Sequence, residues 1–204
     1  QVAHQLISEQ GVDVTTIQQI TDGADIGFGT FYNYYATKEA LAQDVLDCLI
    51  RNTGERNDLI TAQLGESDPV VIVANSVRFV LRELVHNPIY RWWFEHIDLL
   101  VERMRVGFGP FGLRDIQNAV EAGAYSIVDD NHSIAWGQLV WMMAAGAHDI
   151  VRGVHPFSDE GSMVEGVLRV MGVEHQRAHE ATHTELPPTP SLPIDFAYGL
   201  DDPA

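Results

Sequence analysis

Apolar residues recur at helical spacing along most of this chain, and the breaks in the pattern fall where proline stands. Pro88, Pro110 and Pro156 mark three of them, as expected of a residue that lacks an amide donor and clashes with the preceding turn. The spacing predicts helices over about 69–86, 89–105, 111–126, 132–154 and 159–172. The segment 132–154 is apolar nearly all round, with Ile134, Trp136, Leu139, Val140, Met143, Ala147 and Ile150 on different faces. Such a helix should be covered on several sides. Strand-like alternation is scarce and no Asn-Gly hairpin turn separates apolar runs. The fold class expected is all-α.

The first 50 residues are punctuated more tightly. Val2, Leu6 and Ile7 share a helical face that Gly11 ends. That helix opens without a cap or an initiator Met, so a preceding arm is expected upstream of Gln1. Thr15, with Gln18 three residues on, reads as the N-cap and capping box of a second helix. Ile17 and Ile20 would point inward and Gly23 would end it. After Ala24-Asp25-Ile26 comes Gly27-Phe28-Gly29-Thr30-Phe31-Tyr32-Asn33-Tyr34-Tyr35. A further helix capped by Thr37 should run through Leu41, Val45 and Leu49 and beyond Asn52. Two short helices joined by a tight turn of small residues make a helix-turn-helix, whose second helix must fit a groove about 12 Å wide.

The run from Leu6-Ile7 through Gly11, Thr15-Thr16-Ile17-Gln18-Gln19-Ile20 and Ala24 to Leu41 resembles the tetracycline-repressor (TetR) family of bacterial regulators. Its core is the order small-Gly-x-Gly-Thr-aromatic-Tyr-x-Tyr-aromatic-x-x-Lys-Glu-x-Leu, and the resemblance covers about 45 of 204 residues. It implies a three-helix DNA-binding head followed by a helical domain that binds a ligand and dimerises. Function would then be ligand-responsive DNA-binding transcription regulation, with repression the usual mode. The resemblance implies contacts to double-stranded DNA from Thr16, Gly27, Phe28, Gly29, Thr30, Tyr32, Asn33, Tyr34 and Lys38. Thr16 and Lys38 match phosphate contacts, and 28–30 match the tip of the recognition helix. Physical logic agrees, since hydroxyls and amides at helix starts suit phosphates, Asn reads adenine, and an apolar ring touches a thymine methyl. Phe28 stands where a polar residue is common, which leaves base preference open. Phe31 and Tyr35 read as core.

In this family the last two long helices pair in a two-fold bundle, which implies a homodimer on a palindromic operator. Ala144, Ala145, Met163, Val167, Val170 and Met171 would suit that interface. The middle of the chain concentrates aromatic and sulfur-bearing residues with a few polar handles. Trp92, Trp93, His96, Phe108, Phe111, Arg114, Trp136, Trp141, Met142 and His148 are the candidate lining of a pocket. The effector expected is a small flat or hydrophobic molecule rather than a sugar or phosphate. No cofactor is expected.

Charge is the difficulty. The chain carries 12 Lys and Arg against 29 Asp and Glu, a net of −17. Residues 1–57 hold only Lys38, Arg51 and Arg56 against eight acids, a net of −5. Phosphate affinity needs cations, so weak non-specific binding and help from the preceding arm are expected. The alternative is a helical small-molecule-binding or scaffold dimer without DNA binding. An enzyme is not favoured, because no nucleophile elbow, zinc-protease or phosphate-loop motif occurs. No apolar run reaches the ~18 residues that cross a bilayer, so no membrane partner is expected, and the regulatory function that the resemblance implies places the chain in the cytoplasm. The single Cys48 excludes an intrachain disulfide and reads as a small buried hydrophobe.

Two motifs are read as decoys. Gly107-x-Gly109-x-x-Gly112 spells a dinucleotide fingerprint, but no strand precedes it and Pro110 intrudes. His175, His179 and His183 would line one helical face as metal ligands can, yet the polar context and Pro187 favour a frayed, solvated segment. No metal is expected. The domains read as a head over 1–50, a body over 51–173 and an acidic tail over 174–204 without regular structure. That tail contains Pro187, Pro188, Pro190, Pro193 and Pro203, and Leu192, Ile194, Phe196 and Tyr198 are its candidate anchors.

Overall fold

The structure is a computed structural model that describes residues 1–65, 68–186 and 192–196. Pro187, Pro188, Pro190, Tyr198 and Pro203 lie outside the described residues. No strand occurs among the described residues.

The head comprises α1 (Val2–Gln10), α2 (Ile17–Gly23), α3 (Phe28–Phe31) and the start of α4 (Lys38–Leu64). Gly11 ends α1 in a positive-φ conformation (φ 84°) that favours glycine. The second helix starts one residue later than the sequence pattern suggests. Thr16 is its N-cap and accepts from the Gln19 amide, while the Gln19 side chain accepts from the Thr16 amide. Thr15 is instead buried and donates to the Gly11 carbonyl at 2.7 Å. Either threonine has a glutamine three residues on, so local sequence alone did not separate them. Ala3, Ile7, Val12 and Ile20 close the head's core onto Ala42 and Val45 of α4, and Phe31 is buried as well.

Thr37 caps α4 by accepting from the Ala40 amide. The helix then runs unbroken for 27 residues, about 40 Å. Head and body therefore share one rigid element.

The body surrounds α5 (Pro69–His86), which packs against α4 and against the later helices Gly109–Glu121, His132–Val151, Glu160–Val170 and His175–Thr182. One continuous helix over 89–105 was expected. The chain instead forms α6 (Tyr90–Trp93), a 3₁₀ turn (Phe94–His96) and α7 (Ile97–Gly107). Trp93 and Phe94 are both buried and Trp92 stacks on His96 with ring centroids 4.1 Å apart. Next come α8 (Gly109–Glu121), α9 (His132–Val151) and α10 (Glu160–Val170).

The tail departs most from expectation. Residues after 174 form α11 (His175–Thr182), not an irregular segment. Glu174 caps it by accepting from the Arg177 amide, and Ala178, Ala181 and Thr182 are buried against the body. Arg177 donates to Asp68 at 2.9 Å. Nearby, Glu160 accepts from Arg78 and Arg82, and Arg78 also donates to the Thr184 carbonyl at 2.7 Å. Residues 192–196 return across the head. Asn52 donates to the Pro193 carbonyl at 3.1 Å, Ile194 packs on the core and Phe196 lies 5.3 Å from the His4 ring.

Candidate functional site

Two surfaces carry chemistry, and α4 joins them. On the head, the α3 segment presents an aromatic and polar face. Phe28, Tyr32 and Tyr34 are 47%, 51% and 76% exposed, although each could have been buried. Phe28 and Tyr32 meet edge to face at 5.6 Å. Gly27, Gly29 and Asn33 are exposed beside them, and Thr30 is half-buried. Phe31 turns inward at 3% exposure with Tyr35 half-buried next to it. Burial and a hydrogen bond to Asp44 raise the Tyr35 phenol to about 12.

Few cations border this face. Lys38 donates to the Asp13 carbonyl at 3.1 Å. Arg51 pairs with Glu55 and Arg56 with Glu83. Asp13 also accepts from the Trp92 indole at 2.8 Å, which ties the α1–α2 connection to the body.

In the body, Gly54 and Asn57 of α4, Val73, Ser76, Val77 and Val80 of α5, and Phe108, Phe111, Asp115, Ile116, Trp136, Leu139 and Met143 line a pocket. Its empty space, opening to solvent included, is about 460 Å³. Two glycines set its walls. A Cβ on Gly54 would stand 2.6 Å from Phe111, and one on Gly112 would stand 2.2 Å from Trp136. Both rings therefore lie directly on helix backbone. The Trp136 indole donates to the Arg105 carbonyl at 3.0 Å, fixing its plane.

Polar groups on this wall are few. The buried Ser76 hydroxyl meets no partner among the described residues. Burial pushes the Asp115 carboxyl above the usual range, against the opposing pull of Arg114. Arg114 itself faces outward, 2.7 Å from Asp58 and 2.9 Å from Asp115.

The known families settle what this arrangement belongs to. Residues 1–45 match the model of bacterial regulatory proteins, tetR family. Residues 68–184 match the tetracyclin repressor-like C-terminal domain. The chain belongs to the TetR family. No curated protein matches the sequence. Among solved structures, the TetR-like fold aligns with RolR without ligand at 28% identity and a TM-score of 0.80, covering 93% of this chain and 97% of that one. RolR in complex with resorcinol aligns at 28% identity and 0.82, covering 93% of each chain. Thermus thermophilus FadR with lauroyl-CoA aligns at 22% identity and 0.57, over 93% of this chain and 96% of that one, a likeness of fold. TetR regulators bind DNA and small-molecule effectors, and the head and body match the two parts of that family.

Of the residues expected in the TetR pocket, Phe108, Phe111 and Trp136 line it. The other seven lie elsewhere. Trp92 and His96 stack at the head–body junction, and Trp93 is sealed in the core at 1% exposure. Arg114 braces Asp115 from outside. Trp141 is exposed, Met142 is half-buried beside α10, and His148 is half-buried against Asp149. The lining residues missed from sequence were chiefly Gly54, Asn57, Ser76 and Asp115.

Of the expected dimer residues, Ala145 and Val170 face solvent and Met163 is half-buried. Ala144, Val167 and Met171 are buried within the chain itself. The outward stripe of α9 is Ile134, Gln138, Trp141 and Ala145. The fingerprint-like glycines serve close packing: Gly107 lies against Ile50 and Gly112 against Trp136. Cys48 is buried, which raises its thiol pKa. No helix among the described residues is long and apolar enough to cross a membrane.

Proposed function

We propose that this chain is a cytoplasmic homodimeric repressor that leaves a palindromic operator when a small hydroxylated aromatic molecule enters the body pocket. One observation carries the reading. The helix that begins beside the DNA-facing segment, at Thr37 and Lys38, contributes Gly54 and Asn57 to the pocket wall. An occupant that displaces this wall moves the head with it.

The pocket chemistry supports the effector class. Phe108, Phe111 and Trp136 offer faces for a flat ring, and Ser76, Asn57 and Asp115 offer groups for its hydroxyls. Asp115 disfavours an anion, and Arg114 is spent on Asp58 and Asp115. The resorcinol complex of RolR, similar over 93% of both chains, supports the same class. The chain acts by binding, without turnover.

For the dimer, α9 offers Ile134, Gln138, Trp141 and Ala145 at i, i+4, i+7 and i+11, beside Met163 and Val170 of α10. Pairing two copies there sets two recognition segments for half-sites about 34–36 Å apart. Thr16, Gly27–Thr30, Tyr32, Asn33, Tyr34 and Lys38 are the proposed contacts. A hundredfold loss of operator affinity needs about 2.7 kcal/mol of differential effector binding.

The test is selection of fragments from the source genome's promoter DNA, followed by release with a panel of mono- and dihydroxybenzenes. Recovery of one palindrome, released by a hydroxybenzene and not by benzoate, supports the proposal. Effector binding by a folded dimer that recovers no DNA at low salt supports the second reading, a sensor or scaffold without DNA binding. The net charge of −5 over residues 1–57 favours that outcome.

A further inference from the structure

The facing sides of α10 and α11 carry a cluster that neither the head nor the pocket uses. His175, His179 and His183 recur every fourth residue along α11 and its C-terminal cap. Glu165 of α10 lies between them, with Oε1 3.0 Å from His175 Nδ1 and Oε2 3.0 Å from His179 Nδ1. The His179 and His183 rings stack at 3.9 Å. One donor atom each from Glu165, His179 and His183 falls within 4.8 Å of the others.

Two details go beyond proximity. His183 Nδ1 lies 2.8 Å from the His179 carbonyl oxygen. Donation to that carbonyl leaves Nε2 with the free lone pair, one of the two tautomers in which histidines bind metals. The same Nε2 faces Gly161, one turn before Glu165 on α10, where a Cβ would stand only 3.2 Å away. The ring edge has room because residue 161 carries no side chain.

We propose that Glu165, His179 and His183 bind a divalent ion of the zinc class, which clamps α11 onto α10. Two imidazoles and one carboxylate favour zinc over calcium or magnesium. Histidines four residues apart on one helical face are a known zinc-binding spacing. Tetrahedral bonds of about 2.0–2.2 Å set donors about 3.3 Å apart. Rotation of the exposed His179 and His183 rings closes the difference. The ion takes the place of the proton shared by His179 and Glu165, and water fills the fourth position. His175 holds the second carboxylate oxygen and orients it.

The test is titration of the tag-free full chain with Co²⁺ and Zn²⁺, read by visible absorption and calorimetry. One Co²⁺ per chain should give the visible bands of a four-coordinate site, and Zn²⁺ should displace it. Glu165→Gln and His183→Ala should each lower Zn²⁺ affinity about tenfold or more, while His155→Ala leaves it unchanged. Circular dichroism checks folding, and His179→Gln replaces any variant that loses helix. Saturating Zn²⁺ should raise the melting temperature of the parent and not of these variants. No stoichiometric Co²⁺ spectrum, or equal Zn²⁺ affinity in parent, Glu165→Gln and His183→Ala, overturns the assignment.

Discussion

Gly112→Ala tests how the pocket wall is built. The added Cβ would lie 2.2 Å from Trp136 Cζ3 and 2.6 Å from Cη2. Carbon atoms rest at about 3.5–4.0 Å, so the ring or α8 must yield by more than about 1 Å. The ring has little freedom, since it is 6% exposed and its indole donates to the Arg105 carbonyl. Within a helix, alanine is favoured over glycine by about 1 kcal/mol. Overpacking a filled site costs about 1–3 kcal/mol, and a lost indole hydrogen bond about 1 more. The net expected is a loss of about 1–3 kcal/mol. For a chain of this size that lowers the melting temperature by about 2–12 °C. The pocket side is the open side, so the ring moves there, and affinity for the hydroxylated aromatic should fall tenfold or more. Scanning calorimetry and isothermal titration read the two effects. A variant as stable as the parent with unchanged effector affinity would refute the placement of Trp136 on the α8 backbone.

Three further substitutions probe separate links. Ser76→Ala removes the unpartnered hydroxyl from the pocket wall and should weaken the effector about fivefold, or about 1 kcal/mol, with operator affinity unchanged. Trp141→Glu places a charge on the outward α9 stripe. Sedimentation should show a folded monomer that melts below the parent dimer and binds no operator, and a stable dimer would remove this stripe from the interface. Glu160→Gln leaves the buried Arg78 without its carboxylate and should cost about 3–5 kcal/mol at pH 7 by urea unfolding. Burial works against the Glu160 charge, but Arg82 and Arg78 outweigh it and hold the carboxyl below its ordinary 4.5. A depressed carboxyl stabilises the fold above its unfolded value and loses that contribution as pH falls through the folded value. The gap between parent and variant should therefore shrink below pH 4.5.

The head was legible because its signals are local. A capping threonine, a stopping glycine and an inward Phe31 each lie within a few residues of what they control. Even there the cap moved from Thr15 to Thr16, because only the buried contact of Thr15 distinguishes them. The body's helices were legible from period and proline. What those helices meet was not. Four helices far apart in sequence supply the pocket, and counting aromatic residues could not say that Trp93 is core or that Trp141 faces solvent. A usable signal existed in α5, where Asn75-Ser76 interrupts an otherwise apolar stretch. Gly54 and Gly112 had none, since a mid-helix glycine shows its purpose only beside the ring that rests on it. The helix at 175–182 was hidden by its polar surface, and its buried side is small: Ala178, Ala181 and Thr182.

Reciprocal linkage tests the central claim, coupling of pocket and head through α4, most directly. Effector affinity should be measured on the free dimer and on the dimer saturated with operator DNA. If the effector weakens operator binding by some factor, operator must weaken effector binding by the same factor. The account predicts equal factors, each well above one. An effector that binds free and operator-bound dimer with the same affinity would contradict it.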